Sequence, residues 1–237
     1  GFIVKSIPMR STLESLGAPT DRVLISPSGA DAALFQGAAP ELAPPTFLAV
    51  GRFVAKKGPL LTLAAFERLQ RQLPESLASA CRLVMVGDGP MLEEAKRLVH
   101  QQSLTTQVRF AGVLSPAEIA ALMRQVRGFV QHSLVAPDGD SEGSPVAVME
   151  AQLSGLPVVA TRHAGIPEVV VDGSTGLLVE EGDVQAMASA MAQLVRDPQL
   201  AARLGAAGHE RMSLNFTVEH HLAAVSALLH RVAQQGA

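Results

Sequence analysis

The chain has 237 residues, 48% of them hydrophobic, enough for one α/β domain with appendages or two small domains. A net charge of −3 without any basic run disfavours nucleic-acid binding, and no apolar run approaches the roughly 18–20 residues of a membrane span. The single cysteine, Cys81, excludes an internal disulfide and a thiolate metal site and fits a reducing, cytoplasmic setting; eight Phe without Trp or Tyr mean that any sugar would be held by hydrogen bonds and charge rather than by stacking.

The opening Gly-Phe-Ile-Val-Lys-Ser is no signal peptide and reads as the interior of a longer chain. Residues 3–17 predict a short helix, 23–26 a short strand, and the Pro/Ala-rich stretch 37–45 a linker. From Thr46 strands and helices alternate. Strands are expected at 46–50, 82–86, 108–110, 128–131, 157–160 and 176–179. Helices are expected at 59–73, 91–102, after Ser115 with a capping-box pattern, between Ser144 and Gly155, and at 183–195, 200–212 and 218–234. Short unbroken apolar strands between helices predict an α/β fold, a Rossmann-like doubly wound parallel sheet covered on both faces. Residues 46–215 form that domain in this reading, with 1–45 and 216–237 flanking it. Ligands of such sheets bind at the carboxyl ends of the strands, so chemistry is expected just after residues 50, 86, 110, 131 and 160.

The stretch 140–160 is the most informative. Ser144 suits an N-cap and Pro145 a first helical position, which places Glu142 in the loop ahead of a helix and Glu150 on its second turn. Between the two acids, over Gly143, Ser144, Pro145 and Val146, lies the helix N-terminus, whose free amides (Pro145 has none) and positive dipole end favour a phosphate. Acid, anion hole and acid in a row suit a ligand with hydroxyls at both ends and phosphate between, as in a sugar nucleotide. A glycosidase pair is disfavoured, because two helical turns at about 1.5 Å per residue separate the carboxylates by more than about 10 Å.

The other strand-end loops carry weaker signals. Gly51-Arg52 to Lys57-Gly58 is either a phosphate-gripping loop, able to neutralise a departing diphosphate, or a solvated basic turn. Gly87-Asp-Gly-Pro permits close backbone approach to a ligand or forms a plain turn, and it lacks the third small residue of the dinucleotide fingerprint. Arg109-Phe110 either frames a flat base or is only a strand end. His132 and His163 could face one cleft but are too isolated to read as a metal site. Ser133 with a His and Asp138 has no nucleophile elbow around it.

Taken in order, these segments resemble family 4 retaining glycosyltransferases. Glu142-Gly-Ser-Pro to Glu150-Ala resembles the family's Glu–seven residues–Glu motif, and Val50-Gly-Arg52 to Lys57-Gly its diphosphate loop. Val86-Gly-Asp-Gly-Pro90, Gly165-Ile-Pro-Glu168 and Asp172-Gly to Thr175-Gly-Leu-Leu-Val follow in the family's order. The resemblance implies one half of a GT-B enzyme, the donor-binding domain, which transfers a sugar from a nucleoside diphosphate to an acceptor hydroxyl in bacterial polysaccharide or glycolipid synthesis. It implies that Glu142 meets the donor sugar and Glu150 the ribose. Arg52 and Lys57, with Gly51, Gly87 and the amides at 143–146, would hold the diphosphate, and Arg109 and Phe110 would meet the base. No resident cofactor or metal is implied. The partner domain that binds the acceptor is expected to lie ahead of residue 1, with residues 1–45 as its tail, and the full enzyme could associate peripherally with a membrane. Such a half alone should bind a nucleotide sugar weakly and turn over little. The alternative is a non-catalytic nucleotide-binding or regulatory module on the same fold. A nicotinamide dehydrogenase is disfavoured by the missing third glycine and by the lack of an acid closing the second strand.

Overall fold

The computed structural model describes residues 1–235. The chain opens with a small two-stranded unit: β1 (Phe2–Val4) lies parallel to β2 (Val23–Ile25), with helix α1 (Ile7–Ser15) between them. The helix expected over 3–17 is therefore shorter, and its first residues are a strand. Phe2-Ile-Val is apolar and ends in β-branched residues, which favour a strand. The helix starts only after Ser6, whose Oγ accepts from the Met9 amide at 3.5 Å.

The main body is a six-stranded sheet. Its strands are β3 (Thr46–Val50), β4 (Arg82–Val86), β5 (Val108–Gly112), β6 (Gly128–Gln131), β7 (Val158–Thr161) and β8 (Gly176–Val179). All pair in parallel, in the spatial order β5-β4-β3-β6-β7-β8. The chain winds outward from β3 in one direction and then from β6 in the other, which is the doubly wound pattern expected of the sequence.

Side chains alternate across this sheet with the period of two that a pleated strand imposes. Phe47, Leu83, Met85, Val130, Val159 and Val179 face one apolar layer, and Leu48, Val84, Phe129, Val158, Ala160 and Leu178 face the other. The first layer is closed by α2 (Pro59–Gln72), α4 (Leu92–Gln101) and α8 (Val184–Arg196) through residues such as Phe66, Val99 and Met191. The second is closed by α5 (Pro116–Met123), α6 (Val146–Ser154) and the end of α9 (Pro198–Asn215) through Met123, Met149 and Met212. Two four-residue helices that lack any readable period, α3 (Glu75–Ala78) and α7 (Ile166–Val169), complete the connections. The Ser115 capping box forms as expected, with the Glu118 carboxylate returning to the Ser115 amide at 2.8 Å.

The last helix, α10 (Val218–Gln235), turns back to the opening segment. The Ala30 amide donates to Phe216 O, the Val218 amide donates to Ala30 O, and Ser26 Oγ lies 2.7 Å from His221 Nδ1. Among the described residues no helix is long and apolar enough to cross a membrane.

Candidate active site

Strand order reverses between β3 and β6, so the loops that leave their carboxyl ends diverge and open a crevice. After β3 the chain makes a single 3₁₀ turn, Ala55–Lys57, and stops at Gly58 with φ +50°. A Cβ at Gly58 would lie 2.1 Å from the His132 carbonyl oxygen, so glycine alone allows this loop to press against the chain leaving β6. The Leu134 amide then donates to Lys56 O at 3.0 Å and locks the two loops together.

That packing aims Lys57 into the crevice. With Gly51, Arg52, Thr62 and Gln131 it lines a small cavity of about 30 Å³, and its Nζ stands 3.1 Å from Glu142 Oε1. The Glu142 side chain is only 8% exposed, and its Oε1 is close to Lys57 without being aligned as a hydrogen bond. Lys56, one residue earlier, reaches Asp140 Oδ1 at 3.0 Å and Ser141 O at 3.3 Å instead. Arg52 is exposed at the mouth. It also lines a larger groove of about 480 Å³ with Gly87, Asp88, Val113, Leu114 and Ile119.

Glu142, Gly143 and Ser144 line a further cavity of about 440 Å³ opposite Lys5, Pro8, Met9 and Thr12. The acid thus sits between the loop after β3 and the opening segment. Helix α6 begins one residue later than expected: Pro145 is its N-cap, in extended conformation with ψ 115°, and no side chain caps it. Ser144 falls one position too early to reach the first turn, and its Oγ points to Met149 Sδ instead. The uncapped helix start leaves its leading amides to an outside acceptor.

Glu150 lies on the second turn of α6, half-buried, and loss of solvation alone pushes its carboxyl up to about 7. Gly87 has φ +130°, and a Cβ there would sit 2.0 Å from the Gly51 carbonyl oxygen, so this glycine permits loop-to-loop contact beside the groove. Arg109 and Phe110 are placed differently from the expectation. β5 runs on to Gly112, so both lie inside the strand and not past its end. Phe110 packs on Phe53 with ring centroids 6.0 Å apart, and Arg109 lines a separate groove with Thr46 and Arg82, the first residues of β3 and β4. The residues that follow the true end of β5, Val113 and Leu114, face Arg52 and Gly87 in their place.

Three buried polar groups lie near the crevice: His163 and His132, which the sequence suggested could face one cleft without giving them a role, and Gln131, which it did not single out. His163 is 1% exposed, bonded on one side to Glu181 and on the other to the loop that carries Glu142. His132 accepts from the Gly182 amide at 2.9 Å, and burial pushes its imidazole down to about 4. Gln131 donates to Ser133 Oγ at 2.7 Å. Among the described residues no group of three His, Cys, Asp or Glu side chains is placed to hold a metal ion.

A six-stranded parallel sheet in this order, covered by helices on both faces, is the architecture of a GT-B glycosyltransferase domain. The chain belongs to the glycosyl transferases group 1 family, whose model matches residues 32–211. It is 35% identical over 187 residues to the putative colanic acid biosynthesis glycosyltransferase WcaL of Salmonella typhimurium, covering 78% of this chain and 45% of that protein. It is 33% identical over 165 residues to a GDP-mannose-dependent alpha-(1-6)-phosphatidylinositol monomannoside mannosyltransferase of Mycolicibacterium smegmatis, covering 69% of this chain and 42% of that one. Its span is thus less than half the length of these relatives. Among solved structures it is similar to the Anabaena protein HepE in complex with UDP and glucose, with TM-score 0.83 and 21% identity over 97% of this chain and 62% of that one. The sucrose-phosphate synthase of Thermosynechococcus elongatus gives TM-score 0.82 and 27% identity, over 98% and 58%.

Proposed function

We propose that this chain is the donor-binding half of a retaining glycosyltransferase that acts in polysaccharide or glycolipid synthesis. The observation that carries the reading is the meeting of Lys57 and Glu142 at the strand-order reversal, beside the uncapped start of α6. A diphosphate placed there is met by Arg52, Lys57 and the leading amides of α6, with Gly51 and Gly87 allowing close approach. Glu142 then faces the hydroxyls of the donor sugar, and Glu150, desolvated and rich in acceptor capacity, takes those of the ribose. The base lies in the groove of Val113, Leu114 and Ile119.

In the reaction the bond from the anomeric carbon to the diphosphate oxygen breaks, and its electron pair leaves with the diphosphate. Arg52, Lys57 and the helix amides stabilise that charge as it builds. The acceptor hydroxyl attacks from the face the diphosphate leaves, and its proton passes to the departing phosphate oxygen. Among the described residues no side chain is placed as a covalent nucleophile, and no resident cofactor or metal enters the scheme. The acceptor is held by a partner domain outside this chain.

The relatives' names and titles mention GDP-mannose and UDP, so the donor base is the first thing to measure. A thermal-shift screen of this chain against UDP, GDP and ADP and their sugars should show stabilisation by one nucleotide series, lost in Lys57→Ala. The absence of a shift with every nucleotide would overturn the reading.

A further inference from the structure

We propose that His163, backed by Glu181, is a positioning residue that fixes the loop of Glu142 and so the direction in which its carboxylate meets the donor sugar. The inference rests on Glu142 being the sugar ligand, as argued above.

The pair follows from sheet register. Thr161 and Val179 are the last partners of β7 and β8, and two further residues along each strand bring His163 beside Glu181. His163 Nδ1 lies 2.5 Å from Glu181 Oε1. On the other edge of the ring, Nε2 lies 3.1 Å from the Glu142 amide nitrogen and 3.0 Å from Ser141 Oγ. A backbone amide can only donate, so Nε2 is the acceptor and carries no proton, and Nδ1 holds the proton and donates it to Glu181. The carboxylate thereby selects the tautomer that can hold Glu142.

Glu181 does more than orient the ring. Its second oxygen accepts from the Val135 amide at 3.1 Å, while the neighbouring Gly182 amide donates to His132. One short segment after β8 therefore ties both ends of the loop that runs from β6 to α6: the start directly, the end through His163. Glu142 needs such a clamp. Its Oε1 accepts no hydrogen bond among the described residues, so beyond the nearby Lys57 charge its direction depends on the backbone that carries it. A ligand group held from behind by a buried, fully bonded partner is the arrangement that keeps a site in productive geometry.

The test compares a nucleoside diphosphate with its own sugar nucleotide, GDP with GDP-mannose and UDP with UDP-glucose, titrated into the 237-residue chain by calorimetry. In His163→Ala the diphosphate should bind within about twofold of wild type, while the extra affinity contributed by the sugar falls about tenfold, the worth of one buried hydrogen bond. His163→Gln, which can offer an amide oxygen near the place of Nε2, should recover most of that loss, and Glu181→Gln should show a smaller loss of the same kind. Equal losses for diphosphate and sugar nucleotide, or no loss for either, would overturn the positioning role. Glu142→Ala separates the two ideas: if it loses the sugar contribution and His163→Ala does not, His163 has no such role, and if neither loses it, the reading of Glu142 itself fails. Nitrogen NMR of the unliganded chain gives a check that needs no nucleotide. Protonated Nδ1 on His163 is expected, and a proton on Nε2 would refute the clamp.

Discussion

Lys57 Nζ stands 3.1 Å from Glu142 Oε1, which joins the loop after β3 to the loop ahead of α6 across the crevice. Each partner holds the charge the other would need to neutralise, and an arriving diphosphate competes with Glu142 for the ammonium. Lys57→Ala should therefore weaken nucleoside-diphosphate binding by about tenfold or more, roughly 1.4 kcal/mol, and Arg52→Ala likewise. Lys56→Ala removes only contacts to the exposed Asp140 and to Ser141 O and should change the affinity by less than about threefold. Calorimetry on the three variants decides; equal effects of Lys56 and Lys57 would remove the role assigned to Lys57.

Glu150 gives a pH signature. Its carboxyl sits at about 7 in the fold against an ordinary 4.5, so the folded state keeps a proton that the unfolded chain releases across that window. Stability attributable to this group is thus highest below pH 4.5, falls as pH rises to 7, and is level above. Glu150→Gln ends that dependence. It should leave stability little changed at pH 4 and raise it at pH 8, by up to about 3 kcal/mol if the shift were fully expressed. Thermal melts at pH 4, 6 and 8 check it, and a melting temperature that tracks wild type at every pH would contradict it.

Gly58 sets the reach of Lys57. An alanine there takes on the left-handed conformation, about 1–2 kcal/mol, and must also move the His132 carbonyl, since its Cβ would sit 2.1 Å away. Gly112, with φ +68° and nothing within 4 Å of a built Cβ, carries only the conformational part. Gly58→Ala should therefore melt several degrees below Gly112→Ala and lose diphosphate affinity as Lys57 shifts. Similar melting temperatures would show that the two loops are not locked at Gly58.

The sheet was readable because its strands are unbroken apolar runs. β3, β4, β6 and β8 fall on the expected residues, and the reversal between β3 and β6 follows from their alternation with helices. β1 was hidden because its only pairing is with β2, far along the chain, so no local pattern marks it. The start of α6 was placed a residue early because a serine before a proline has two registers, and only backbone geometry shows that Pro145 stays extended. The clamp on Glu142 was invisible for a different reason. His163 and Glu181 belong to separate loops, and neither carries a motif. A signal existed nonetheless: equal offsets past the ends of two adjacent parallel strands put residues side by side.

The chain passes from the small opening unit into the large sheet once, and returns to it once as α10, and both passages touch where Ala30 bonds to Phe216 and Val218. Gly29, with φ +73° and room for no Cβ against the Thr217 carbonyl, lets them lie that close. Two tethers bonded side by side fix where the opening unit meets the sheet. A second tie, the Ile7 amide donating to Glu168 Oε1 at 2.7 Å, holds the far side of that unit, so the gap that Lys5 and Met9 form with Glu142 and Gly143 is set from both ends.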